Sequence, residues 1–150
     1  YQAVSYAWGE PTQDQPMKLN GQYTLPITKT LASALSRLTG MCSTGYLWID
    51  QICIDQSNLQ ERSQQVSLMG EIYQSALEVL VWTGQEVNEL SETFKKSAQI
   101  SARVERDLSR IGKDTLDKKH VRKITELLCR PWFSRGWVIQ EAVMGKKVLL

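Results

Sequence analysis

Val79-Leu80-Val81-Trp82 is a run of four apolar residues without polar alternation, and Thr83-Gly84 closes it. A strand with one wet face alternates apolar and polar side chains, whereas a strand covered on both faces does not. The run therefore predicts a central parallel strand, and with it an α/β sheet. Working outward, Gln2–Tyr6 is a second short apolar segment, broken by Ala7-Trp8-Gly9-Glu10-Pro11. Tyr46-Leu47-Trp48-Ile49 is a third, ending at Asp50. Between them, Thr30 is placed to cap a helix whose Leu31, Ala34, Leu35 and Leu38 follow i, i+3, i+4, i+7 spacing, with Gly40 to stop it. A capping box, Ser57 with Gln60 or Asn58 with Glu61, opens a further helix with Val66, Met69, Ile72, Tyr73 and Ala76 on one face. Strands that alternate with helices select parallel pairing and right-handed crossovers.

One segment departs from that rhythm. Met17-Lys18-Leu19 and Tyr23-Thr24-Leu25 flank Asn20-Gly21, a pair that tolerates the positive φ of a type I′ turn, so a β-hairpin is expected there. Residues from about 86 to 129 read as a polar helical insertion broken near Gly112, with Ile124, Leu127 and Leu128 as its last buried stripe. Pro131 ends it. Ser134 is expected to cap a final helix reaching Met144, Gly145 to close that helix, and Lys147–Leu150 to begin another strand.

The chain has 150 residues, enough for one domain over 1–150. With 42% hydrophobic and 23% charged residues, it is an ordinary globular sequence and not a disordered one. No apolar run approaches the ~18 residues of a membrane span. The chain opens on Tyr1 and stops within Val148-Leu149-Leu150, so both ends are expected to be cuts in a longer polypeptide. Three cysteines, Cys42, Cys53 and Cys129, without a CxxC spacing suggest neither a disulfide framework nor a zinc site, and point to a reducing compartment. Cys53, between two isoleucines, is expected to be a buried small hydrophobe. His120 is the single histidine, which leaves no material for a His-rich metal centre. Residues 103–123 carry eight basic and four acidic side chains, but the signs alternate and no aromatic residue is interleaved. That pattern is a solvated helical face more than a nucleic-acid surface.

In open α/β sheets, ligands bind beyond the carboxyl ends of the strands. Those ends are Tyr6-Ala7-Trp8-Gly9, then Asp50 to Gln56, then Trp82-Thr83-Gly84. If the strands are parallel, Trp8, Trp82, Asp50 and Asp55 share one edge, which is the candidate site. Asp50 and Asp55 have the chemistry to bind a divalent cation or polarise a hydroxyl; alternatively Asp50 ends a strand and Asp55 supports a helix N-terminus. Trp8-Gly9 is either an aromatic wall beside close-approach backbone or a turn under a core tryptophan. The last helix is apolar nearly all round, so it is expected to be buried. Trp137, Gln140, Glu141 and Met144 form its remaining stripe. Glu141 is then either a site carboxylate or half of a structural ion pair with Arg130 or Arg135.

Together these blocks resemble the HET (heterokaryon incompatibility) domain family of filamentous fungi. They are Ala3–Gly9, Leu47–Gln56, Glu61-Arg62 through Ala76, Val81–Gly84, and Arg130–Glu141. The resemblance implies a cytoplasmic effector of programmed cell death, controlled by a receptor or regulatory partner. HET domains are in turn similar to Toll/interleukin-1 receptor (TIR) domains, with a flavodoxin-like parallel sheet. Many TIR domains cleave the nicotinamide–ribose bond of NAD+ with a glutamate four positions after a tryptophan, as Glu141 follows Trp137. On this likeness Glu141 is the expected catalytic residue, and Tyr6, Trp8, Gly9, Asp50, Asp55, Gln56, Trp82 and Trp137 are expected to bind substrate. NAD+ or a related nucleotide is then a substrate and no cofactor is bound, in keeping with the absence of a GxGxxG fingerprint. Self-association is expected to promote activity. The competing expectations are a non-catalytic assembly module, and a metal-dependent nuclease or phosphohydrolase using Asp50, Asp55 and Glu141.

Overall fold

A computed structural model describes residues 1–84 and 118–150. The chain divides into two compact units, residues 1–84 with 131–150, and residues 85–130. Of the second unit, the helix Lys118–Leu128 (α4) lies among the described residues; Leu127 is buried there and Leu128 is exposed. The expected break at Gly112 falls outside the described residues.

The first unit holds a four-stranded sheet: β1 (Gln2–Tyr6), β4 (Leu47–Trp48), β5 (Glu78–Trp82) and β6 (Val148–Leu149). Every pairing in it is parallel, and the spatial order is β4-β1-β5-β6. The apolar run at 79–82 is thus an interior strand. A separate antiparallel hairpin pairs β2 (Gln15–Leu19) with β3 (Tyr23–Ile27). Its turn places Asn20 at φ 51° and Gly21 at φ 71°, the left-handed pair that a type I′ turn requires.

Both faces of the sheet are covered, which explains the lack of alternation in β1 and β5. On one face, Val4, Tyr6 and Leu80 pack against Leu31, Ala34 and Leu38 of α1 (Lys29–Met41). On the other, Ala3, Val79 and Val81 meet Met69 and Tyr73 of α3 (Leu59–Ser75), together with Trp132. Tyr73 also donates its hydroxyl to the Val4 carbonyl at 3.0 Å and meets the Trp48 ring edge-on, fixing α3 across the sheet. A single-turn helix, α2 (Asp50–Cys53), follows β4, and α5 (Val138–Val143) packs beside α3. Among the described residues, no helix is long and apolar enough to cross a membrane.

Several local expectations are corrected. Thr28, not Thr30, caps α1: its hydroxyl accepts from the Leu31 N–H, while its own N–H donates to the Gln51 side chain. That tertiary anchor has no counterpart in the helix's own sequence. Of the two registers expected for the start of α3, the structure adopts the one capped by Asn58, which accepts from the N–H groups of Gln60 and Glu61 at 3.1 Å. Cys53 is exposed, because the short turn of α2 sends Ile52 and Ile54 inward instead. The final helix neither starts at Ser134 nor is buried all round. Pro131–Ser134 is a 3-10 turn, and Ile139 and Val143 of α5 are 67% and 74% exposed. A six-residue helix has one inward face, and Val138, Glu141 and Ala142 occupy it at i, i+3, i+4 spacing.

Leu80 is fully buried in the interior strand, whereas Tyr23 at the hairpin tip is 68% exposed. Replacing Leu80 with Ala is expected to cost about 2–5 kcal/mol of unfolding free energy, and Tyr23→Ala less than about 0.5 kcal/mol. Urea denaturation midpoints of the two variants check this, and comparable losses would contradict the assigned core.

Candidate functional site

The connections reverse direction beside β1. From β1 the chain crosses by α1 to β4 on one side, then by α3 to β5 on the other. That reversal opens a crevice at the carboxyl ends of the strands, where ligands of such sheets bind. Residues following β1 and β4 meet there. The indole N–H of Trp8 donates to Asp50 Oδ2 at 2.8 Å, and the Gln51 backbone N–H donates to Oδ1 at 2.7 Å. Burial pushes the Asp50 carboxyl above its ordinary range, while the Trp8 and Gln51 donors and the nearby Arg135 act against that rise. Gln56 donates its side-chain amide to the Asp50 carbonyl at 2.9 Å and so ties the following loop to the same point. An open pocket of about 230 Å³ results, lined by Trp8, Asp50, Gln56, Arg62, Arg135 and Trp137 above Ile54, Val66 and Met69.

Glu141 lies behind this wall. It is 1% exposed, and its connection to the pocket runs through Arg135. Its Oε2 accepts from the Ser5 hydroxyl, whose oxygen in turn accepts from the Trp132 indole N–H at 2.7 Å. Its Oε1 pairs with Arg135 Nη2 at 3.3 Å, and Arg135 Nη1 donates to the Tyr6 carbonyl at the end of β1. Burial raises the Glu141 carboxyl; Ser5 and Arg135 pull it down, and the Asp50 charge adds to the rise. Of the two arginines proposed as partners from the sequence, Arg135 is the one that pairs with it.

The remaining expected residues have plain positions. Tyr6 is buried, and its hydroxyl is near Asp50 but outside hydrogen-bond geometry; burial first, and then Asp50, push its ionisation far up. Gly9 turns the chain at φ +71°, where a Cβ would stand 2.2 Å from Thr30 Oγ1, so a larger residue is strained in its backbone and must displace the Thr30 side chain. Trp82 packs against the α1-side core, away from the pocket lining. Asp55 is exposed and accepts from the Ser57 N–H and hydroxyl at 3.0 and 2.6 Å, bonds that hold its pKa below the ordinary carboxylate value. Asp50, Asp55 and Glu141 therefore do not converge. Among the described residues no three His, Cys, Asp or Glu side chains cluster to hold a metal ion.

Sequence reasoning did not single out Ser5, Trp132 or Arg62. Ser5 carried a signal, as a polar residue inside an apolar strand that must find a partner when buried. Trp132 and Arg62 carried none outside their sequence blocks.

Residues 1–141 match the family model described as heterokaryon incompatibility protein (HET). The chain belongs to the HET family. It is also 35% identical to heterokaryon incompatibility protein 6, OR allele, of Neurospora crassa, in a match covering 94% of this chain. The chain spans 27% of the length of that relative. No solved structure matches it.

In this HET domain the buried Glu141 gives a signed pH effect. Its folded pKa is raised above 4.5, so the folded state holds the proton more tightly than the unfolded state. The stability this contributes is fully present below 4.5 and is lost as pH rises through the folded value. Glu141→Gln removes the titration. The stability of the wild type relative to the variant is therefore expected to fall as pH rises from 4.5, a slope that urea midpoints across pH would reveal. A difference independent of pH would contradict the raised pKa.

Proposed function

We propose that this HET domain executes a cytoplasmic cell-death response in a fungus, by cleaving the nicotinamide–ribose bond of NAD+ once copies of the domain assemble. The observation that carries the proposal is the placing of a buried carboxylate, Glu141, one guanidinium away from a pocket with two tryptophans at the carboxyl edge of the sheet. Family membership supports the cell-death role, and the spacing of Trp137 and Glu141 supports the chemistry by its likeness to TIR domains.

Breaking an N-glycosidic bond passes through an oxocarbenium-like state, which a carboxylate near the ribose stabilises. Nicotinamide in NAD+ departs with the bonding electron pair as a neutral molecule, so its departure requires no general acid; water then adds to the ribose C1′ and releases a proton, leaving ADP-ribose. Trp8 and Trp137 offer aromatic faces for the ring, and Asp50 offers an acceptor for a ribose hydroxyl. The pocket, at about 230 Å³, is below the ~300–1,000 Å³ usual for drug-sized ligands, so it suits one end of a dinucleotide.

Arg135 lines the pocket and pairs with Glu141, which does not itself line it. Assembly, or an upstream receptor or regulatory domain, would then act by drawing Arg135 away. A second reading, a non-catalytic assembly module, is favoured by the same contacts: Ser5 and Arg135 satisfy Glu141 as they would a structural ion pair.

Glu141→Gln separates the two. The catalytic reading expects nicotinamide release from NAD+ by the clustered protein to fall about 100-fold, or roughly 3 kcal/mol of transition-state stabilisation. Release is measured well below the melting temperature of both proteins, because loss of the ion pair also lowers stability. A folded variant that releases nicotinamide at the wild-type rate would sink the assignment. So would clustered wild type that releases none, which would leave the assembly module.

A further inference from the structure

We infer that Arg62 is the phosphate-binding residue of this pocket and that it recognises the pyrophosphate of the nucleotide. This rests on the nucleotide reading above and specifies which part of the ligand Arg62 holds. Arg62 lies in the first turn of α3, where its backbone N–H bonds to the Asn58 carbonyl at 2.9 Å, and its side chain lines the pocket. Helix electrostatics do not account for it. The positive end of the helix dipole is at this terminus, so a cation in the first turn is unfavourable. Its neighbours at three and four positions are Asn58, Leu59, Gln65 and Val66, none of them acidic. Among the described residues its guanidinium has neither a salt bridge nor a hydrogen bond.

The other guanidinium of the pocket is occupied. Arg135 is divided between the Glu141 carboxylate and the Tyr6 carbonyl. Arg62 therefore offers the pocket an uncommitted set of N–H donors in a planar fork, the geometry that binds phosphate oxygens in pairs. The charges also set a direction. Asp50 repels an anion from its own part of the wall and accepts from hydroxyls, so the ribose belongs beside Trp8 and Asp50, and the phosphates beside Arg62. A neutral or cationic ligand would use the tryptophans and Asp50 and have no use for Arg62.

Isothermal titration calorimetry on the intact protein tests this with two probes. ADP-ribose carries the pyrophosphate, and nicotinamide riboside carries none. Arg62→Ala is expected to weaken ADP-ribose binding about 10- to 100-fold, the worth of a charge-assisted hydrogen-bond pair, and to leave nicotinamide riboside within about twofold. Arg62→Lys keeps the charge without the fork and is expected to recover part of the loss. Arg62 is exposed, so the melting temperature should be unchanged. Equal ADP-ribose affinity in wild type and Arg62→Ala, or equal weakening of both probes, overturns the inference and leaves the nucleotide reading standing. Absence of any ADP-ribose binding removes both. Arg62-dependent ADP-ribose binding without nicotinamide release keeps the inference and removes the cleavage reading.

Discussion

The buried carboxylate of Glu141 constrains the structure more than any other single group. An ionised carboxylate taken out of water costs several kcal/mol unless its oxygens are paired, and the protein satisfies both of them. One partner comes from β1 as Ser5, and the other from the loop before α5 as Arg135. Trp132 then secures Ser5 from the far side. Through these contacts residues 131–150 are bound to the strand that begins the chain, across an interval of well over a hundred positions in sequence. The same network holds Arg135 at the pocket wall. Loss of Ser5 or Arg135 leaves the buried Glu141 carboxyl incompletely paired, and such networks are stable only when complete.

The pocket owes its character to the reversal of chain direction beside β1. Trp8 and Asp50 leave neighbouring strands at the same edge and are joined by one hydrogen bond, which sets the aromatic and acidic side of the wall. Arg62 and Trp137 complete the lining from α3 and from the N-cap of α5. Acid, guanidinium and indole thus come from four separate elements. Two further buried polar atoms, the Tyr6 hydroxyl and the Gln51 amide nitrogen, lack hydrogen-bond partners. Among the described residues both lie close to Asp50, Gln51 as its chain neighbour and Tyr6 with its hydroxyl near the carboxylate.

How far the sequence alone reached depended on the range of the interaction involved. It determined the class of fold, because the apolar runs at 2–6 and 79–82 and the helical spacing of Leu31, Ala34 and Leu38 are local patterns with one economical solution, a sheet covered on both faces. It determined the hairpin, because Asn20-Gly21 encodes its own backbone geometry. It also marked Trp8, Asp50 and Glu141 as residues needing an explanation, each by an ordinary rule about strand ends or buried charge. Tertiary structure decided the rest. Thr28 displaced Thr30 as a cap through a contact with Gln51, Cys53 was turned outward by its isoleucine neighbours, and α5 buried its glutamate while exposing Ile139 and Val143. Whether Glu141 faces the pocket or stands behind Arg135 was likewise beyond reach. The cause is the same in each case: a side chain's direction is set by which distant partner offers the better hydrogen bond or the drier contact, and that partner is brought near only when the sheet closes.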